Sequence, residues 1–126
     1  MFKWVDHVIV AVSSLDQAIP TYEKTLGKKV GRTRDLTGQG VRAVDFFLDQ
    51  GRYFELIEPL SPDSAVAKGI ARRGEGVYCL AMAVDDAKKE AKELKDKGVP
   101  LIEFGGLYFI HPKASHGVLI QLAERK

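Results

Sequence analysis

A single cysteine, Cys79, is all that this chain of 126 residues has, which excludes an internal disulfide framework and suits a reducing compartment. An excess of one charge sign is missing too: a net +2 gives no patch-forming surplus to hold nucleic acid or a membrane surface. No apolar run is long enough to cross a bilayer, and the opening M-F-K-W-V-D lacks the long apolar core of a signal peptide. A phosphate-cradling glycine loop, a serine-nucleophile motif and a paired CxxC are all absent. The expectation is a cytoplasmic protein of one-domain size, with nothing in its charge to hold nucleic acid or a membrane.

What is present is a repeat. Asp6 to Val12, D-H-V-I-V-A-V, is an apolar run with one imidazole, as suits a strand covered on both faces. Tyr78 to Val84, Y-C-L-A-M-A-V, echoes it and sets Cys79 on His7, Ala83 on Ala11 and Val84 on Val12. Each copy is followed by a helical segment, a glycine and further strand-like runs. A period of about half the chain predicts one domain over residues 1–126, built of two modules at about 3–60 and 75–124.

In chain order, the first strand covers about Trp4 to Val12, and Ser14 with Gln17 marks a helix start near Leu15. Leu15, Ala18, Ile19, Tyr22 and Leu26 form its apolar face, and Gly27 ends it; Pro20 predicts an irregular first turn. Three strands follow, at about Lys29 to Asp35 (polar enough for an edge), Val41 to Leu48 and Arg52 to Glu58, with Asp49-Gln50-Gly51 as a tight turn. A short helix over Ala65 to Arg73 joins the halves. The second half repeats the order: a strand at Tyr78 to Val84, then a helix with the stripe Ala87, Ala91, Leu94. Strands at Val99 to Phe104, Leu107 to Ile110 and Gly117 to Leu122 close it.

Strand alternation places Tyr53, Glu55 and Ile57 on one face, and the repeat matches Glu55 with Gln121. Pairing the halves about a pseudo-twofold therefore predicts that His7, Glu55, Cys79 and Gln121 converge on one cleft. Each is a polar or metal-capable residue flanked by apolar ones.

The order and motifs resemble the vicinal oxygen chelate superfamily, and within it the methylmalonyl-CoA epimerase group beside glyoxalase I. The resemblance rests on D-H-V-I-V-A-V, the helix ending in L-G, F-E-L-I-E-P-L-S-P-D-S, R-R-G-E-G-V, A-V-D-D, L-K-D-K-G-V and H-P-K-A-S-H-G-V-L-I-Q-L, nearly the whole chain. It implies an α+β fold of two β-α-β-β-β modules forming a curved, mostly antiparallel sheet around a cleft, usually in a dimer; the sheet edges and apolar surface that two modules leave uncovered predict a homodimer on their own account, with Trp4 and the first-strand edge as contributors. It also implies a divalent metal (Zn, Co, Ni, Mn or Mg) held by His7, Glu55, Cys79 and Gln121. Cys79 stands where the family has His, and Gln121 where it has Glu. The third-strand base falls at Ala43, with Asp45 two residues on sharing its face. A Gln ligand brings no charge and accepts no proton near neutral pH.

Around this set, His111, Lys113 and His116 in H-P-K-A-S-H-G, with Arg73 beside G-E-G, are candidates to meet an anionic end of a substrate; a solvent-facing turn is the plain alternative. Cys79 as a small buried hydrophobe and His7 as a core histidine are the matching plain readings of the metal set. The resemblance implies an isomerase or lyase performing metal-assisted proton transfer next to a carbonyl, with Gln121, Glu55 and Asp45 as catalytic candidates and a partly degenerate metal site. A metal-free small-molecule-sequestering protein of the same fold is the alternative, because function lives in the site.

Overall fold

A computed structural model of the chain describes residues 1–125. Its elements are β1 (Val5–Ala11), α1 (Leu15–Leu26), β2 (Arg32–Leu36), β3 (Val41–Phe47), β4 (Tyr53–Pro59), α2 (Ala65–Arg73), β5 (Gly76–Val84), α3 (Ala87–Asp96), β6 (Leu101–Phe104), β7 (Leu107–Ile110) and β8 (Ile120–Glu124). The class is α+β, and strand–helix–strand–strand–strand runs twice, with α2 between the two passages. Among the described residues no helix is long and apolar enough to cross a membrane. The chain divides into two compact units, Ile9–Tyr78 and, among the described residues, Met1–Val8 with Cys79–Arg125.

In the Ile9–Tyr78 unit the strand order is β2-β3-β4 followed by the end of β1, with β2 at the edge that its polar sequence predicts. Both β2–β3 and β3–β4 are antiparallel, and the register pairs Arg32 with Asp45, Arg34 with Ala43, Asp45 with Glu55 and Phe47 with Tyr53. Alternation then separates two faces. Val44, Phe46 and Leu56 point one way and are fully buried, and on that side Tyr22 of α1 meets Phe54 with ring centroids 5.2 Å apart. Arg32, Arg34, Asp45 and Glu55 share the other face.

Helix α1 begins where Ser14 Oγ accepts from the Gln17 amide, and ends at Gly27, whose φ of 66° is left-handed and costs glycine nothing. Pro20 does not disturb the first turn as expected: the helix runs unbroken from Leu15 to Leu26. The carbonyl that proline leaves without an i+4 partner is that of Asp16, which is exposed and can turn to water.

The other unit orders the first residues of β1, then β5, β8, β7 and β6. Lys3 N bonds Ala83 O at 2.9 Å and Ala83 N bonds Trp4 O at 2.8 Å; β5 and β8 run parallel, and β8–β7 and β7–β6 antiparallel. Gly105 and Gly106, with φ of 59° and 79°, make the tight β6–β7 turn that residues with side chains resist. Helix α3 lays Ala87, Ala91 and Leu94 on Val84 and Leu122 and leaves its lysines outward. The last strand begins at Ile120 rather than Gly117, because Pro112–Ala114 forms a 3-10 turn and Ser115 Oγ donates to Val118 O at 2.5 Å, holding those residues in the loop.

Candidate functional site

On β2, Arg32 and Arg34 occupy alternate positions and so share the face of Asp45 and Glu55. Asp45 is completely buried, and Glu55 is 5% exposed. Arg32 Nε donates to Asp45 Oδ2 at 2.6 Å; Arg34 Nη2 lies 3.0 Å from the same oxygen and also donates to Glu55 Oε2. The rings of Phe47 and Tyr53 sit 5.4 and 5.3 Å from the Arg32 guanidinium carbon, and Tyr53 is 6.0 Å from that of Arg34. These aromatic faces limit how either guanidinium can turn.

Two carboxyls side by side in a dry site cannot both ionise cheaply. Burial, the hydrogen bond to Asp45 and the Asp45 charge push Glu55 up to about 8, against the opposing pull of Arg34 and Arg32. Glu55 therefore keeps a proton near neutral pH, beside the Asp45 carboxyl. A carboxyl that holds a proton this far up is poised to give or take one there.

A second polar cluster lies in the other unit. Asp6 is buried and receives Arg125 in a fork, Nε to Oδ1 at 2.8 Å and Nη2 to Oδ2 at 2.9 Å; its Oδ2 also lies 2.7 Å from His7 Nδ1. Burial alone would raise the Asp6 carboxyl, but Arg125 and His7 outweigh it and hold it below the ordinary carboxylate range. Asp6 thereby fixes the His7 ring, with Nδ1 as the edge facing the carboxylate.

The remaining candidates are placed as follows. Cys79 is buried in β5, its Sγ 3.6 Å from Leu80 O. The parallel β5–β8 register pairs Ala81 with Gln121, so Cys79 and half-buried Gln121 share one face of neighbouring strands. Arg73 ends α2 with its guanidinium 5.9 Å from the Tyr78 ring. His111 accepts from the Lys113 amide at 3.1 Å and so caps its own turn, while Lys113 and His116 are exposed on that loop. Sequence reasoning passed over Arg32, Arg34, Asp6 and Arg125. The Arg-x-Arg alternation on an edge strand and the Asp beside His7 were signals; nothing local marks Arg125, which reaches Asp6 across 119 positions.

A divalent metal needs deprotonated, uncommitted donors. Glu55 is committed to Arg34 and holds its own proton near neutral pH, and Gln121 is neutral. Among the described residues no group of three or more His, Cys, Asp or Glu side chains is gathered as an ion requires. As placed, these residues do not fit a divalent metal.

The two charge clusters predict opposite pH dependences of stability. Glu55, raised from 4.5 to about 8, binds a proton in the fold that the unfolded chain has released. Its contribution is thus complete below about 4.5 and is lost as pH rises through about 8, with a limiting slope of about 1.4 kcal/mol per pH unit. Asp6, lowered, contributes above the ordinary aspartate range and loses that as pH falls through its folded value. Denaturant melts across pH should show stability declining between mildly acidic and alkaline pH, and Glu55→Gln should flatten that decline.

The model of the Glyoxalase/Bleomycin resistance protein/Dioxygenase superfamily matches residues 6–110. The uncharacterised protein YqjC of Bacillus subtilis is 32% identical over 130 residues, 97% of this chain and 92% of its own. The ethylmalonyl-CoA/methylmalonyl-CoA epimerase of Cereibacter sphaeroides is 28% identical over 134 residues, 98% of this chain and 99% of the enzyme. A Streptomyces coelicolor methylmalonyl-CoA epimerase variant, solved in complex with 2-nitronate-propionyl-CoA, superposes with a TM-score of 0.87 at 34% identity, covering 97% of this chain and 94% of that one. By sequence along most of its length and by fold along nearly all of it, this chain belongs to the glyoxalase/bleomycin resistance protein/dioxygenase superfamily.

Proposed function

We propose that the protein is an epimerase-type enzyme that moves the proton on the carbon next to a thioester carbonyl, with an acyl-CoA as substrate. The observation that carries this is the Asp45–Glu55 pair, two buried carboxyls side by side beneath two arginines, of which Glu55 holds its proton up to about 8. The likeness to methylmalonyl-CoA epimerases supports the substrate class. Glu55, in its ionised form, takes the α-proton: the C–H bond breaks, an O–H bond forms on Glu55, and the electron pair passes into an enolate. The reverse step returns the proton to the same face. Inversion needs a second acid on the opposite face, and the amide of Gln121 cannot supply it.

The residues that the resemblance assigns to a metal do not fit one here, so the carboxyl pair supplies the proton chemistry in this reading. The test is deuterium exchange at the α-carbon of methylmalonyl-CoA in heavy water, followed by proton NMR beside a chiral assay of epimerisation. Exchange faster than inversion is expected. Tight binding without any exchange would overturn the enzyme reading and favour the sequestering alternative, to which the substitutions at Cys79 and Gln121 point.

A further inference from the structure

In the unit of Met1–Val8 and Cys79–Arg125 the sheet ends at β6, which among the described residues has β7 on one side and no strand on the other. Its ladder fixes which backbone groups face the open side. His111 N donates to Pro100 O at 3.0 Å, and the register continues with Leu101 opposite Ile110, Ile102 opposite Phe109, Glu103 opposite Tyr108 and Phe104 opposite Leu107. Antiparallel pairs alternate between bonded and unbonded positions. Pro100–His111 is a bonded position, so Ile102 and Phe104 bond to β7 while the N–H and C=O of Leu101 and Glu103 turn outward. Sheet edges are ordinarily guarded by cations, proline or a bulge. The edge strand β2 carries Arg32 and Arg34; β6, Leu-Ile-Glu-Phe, has no cation, no proline and an unbroken register.

Beside this edge runs a groove of about 740 Å³, all of whose lining belongs to the same unit. One wall is a stripe of α3, Lys88, Ala91, Lys92 and Lys95, spaced as one helix face, and the floor includes Leu101 and Tyr108. The rise of α3 from Lys88 to Lys95 and the length of β6 from Leu101 to Phe104 are both about 10 Å. Lys92 has Asp96 at 3.0 Å, but no ion pair among the described residues takes up Lys88, Lys89 or Lys95. Two carboxylates also line the groove: Asp86, which caps α3 by accepting from the Lys89 amide at 3.0 Å, and exposed Glu103. The four lysines outnumber them. The opposite face of β6 is apolar, with Ile102 half-buried and Phe104 50% exposed.

We propose that the β6 edge and the α3 lysine stripe form a docking surface for an extended acidic segment of a partner protein, which joins the sheet as an added strand. Its backbone meets the outward N–H and C=O groups of Leu101 and Glu103. Side chains alternate along a strand, so those on the α3 side are acidic and meet the lysines, while those on the other side are apolar and continue the surface of Ile102 and Phe104. The surface draws on none of the residues assigned to the reaction above, and stands whether or not that reaction occurs.

The probe is a synthetic peptide of alternating glutamate and valine, blocked at both ends and carrying a fluorophore, titrated into the intact protein and followed by fluorescence anisotropy. Saturable binding is expected, weakening at least about fivefold as sodium chloride rises from about 0.05 to about 0.5 M. A peptide with lysine in place of glutamate should not bind. Joint Lys92→Glu and Lys95→Glu should weaken the acidic peptide by at least about fivefold, and Glu103→Gln, which removes the like charge on the edge, should tighten it. Glu103→Pro separates strand addition from charge alone. Its N–H serves no bond to β7, so proline fits this edge position yet deletes an outward donor. Binding at least about fivefold weaker than in Glu103→Gln, which has the same charge, is expected. If Glu103→Pro fails to fold, a fully N-methylated probe makes the same distinction and should bind no better than the lysine peptide. No saturable binding, equal binding of the lysine peptide, or unchanged binding in the double lysine variant would each overturn the docking surface. Binding that survives loss of the backbone donors would overturn strand addition.

Discussion

Glu55→Gln is expected to lower α-proton exchange by about 10²–10⁴-fold while leaving the fold at least as stable as before. The two halves of this prediction have one cause. In the wild-type site Glu55 holds a proton up to about 8, donating it toward Asp45 while its other oxygen accepts from Arg34. A glutamine side chain offers the same pattern, an N–H toward Asp45 and a carbonyl toward Arg34, at nearly the same volume. It cannot release or accept the proton. Rate should therefore collapse while the melting temperature rises, the variant gaining on the wild type as pH climbs from about 4.5 to about 8, since it has no second carboxyl to ionise. Asp45→Ala makes the contrast: it removes a hydrogen-bond acceptor from the half-buried Arg32 and Arg34, a cost of about 1–3 kcal/mol. Exchange rates and thermal melts on the two variants separate chemistry from structure. A Glu55→Gln protein that exchanges at the wild-type rate would remove Glu55 from the reaction.

Much of this site could be read from the strand pattern. Tyr53-Phe54-Glu55-Leu56-Ile57 alternates, so Glu55 had to share a face with Asp45 once β3 and β4 were joined by the Asp49-Gln50-Gly51 turn. The helix ends were legible for the same reason, because Ser14 and Gly27 act locally. Pro20 misled because a proline near a helix start loses one hydrogen bond whose carbonyl can still find water. What the pattern did not show was the partner of each charge. Arg34 meets Glu55 from 21 positions away, and the meeting depends on the register of two hairpins together. Arg125 meets Asp6 from 119 positions away, which no local signal encodes. A polar edge strand predicts exposure; whether its arginines lie flat on the sheet or point to water is decided by the aromatic rings beneath them.

Joint replacement Cys79→His with Gln121→Glu is expected to create divalent-metal binding that the wild-type chain does not match, by at least about a hundredfold in affinity. Both positions lie in the unit that also holds His7, and the β5–β8 register puts them on one face of adjacent strands. His7 already has what a metal-binding imidazole needs behind it: a carboxylate, Asp6, 2.7 Å from Nδ1, itself locked by the Arg125 fork. The substitutions add a second imidazole and an anionic oxygen, which with His7 gives the two-histidine, one-carboxylate set of a zinc centre. Losing an outer partner typically costs 10–100-fold in affinity, so the Asp6–Arg125 support should be felt: adding Asp6→Asn to the double variant should weaken zinc by about that factor. Calorimetric titration of zinc into the wild type, the double variant and the triple variant measures all three. Equal zinc affinity in wild type and double variant would show that the two side chains do not meet His7, and would remove this cluster as a framework for a metal site. A double variant that binds metal yet exchanges the α-proton no faster than wild type would place the chemistry with Asp45 and Glu55 alone.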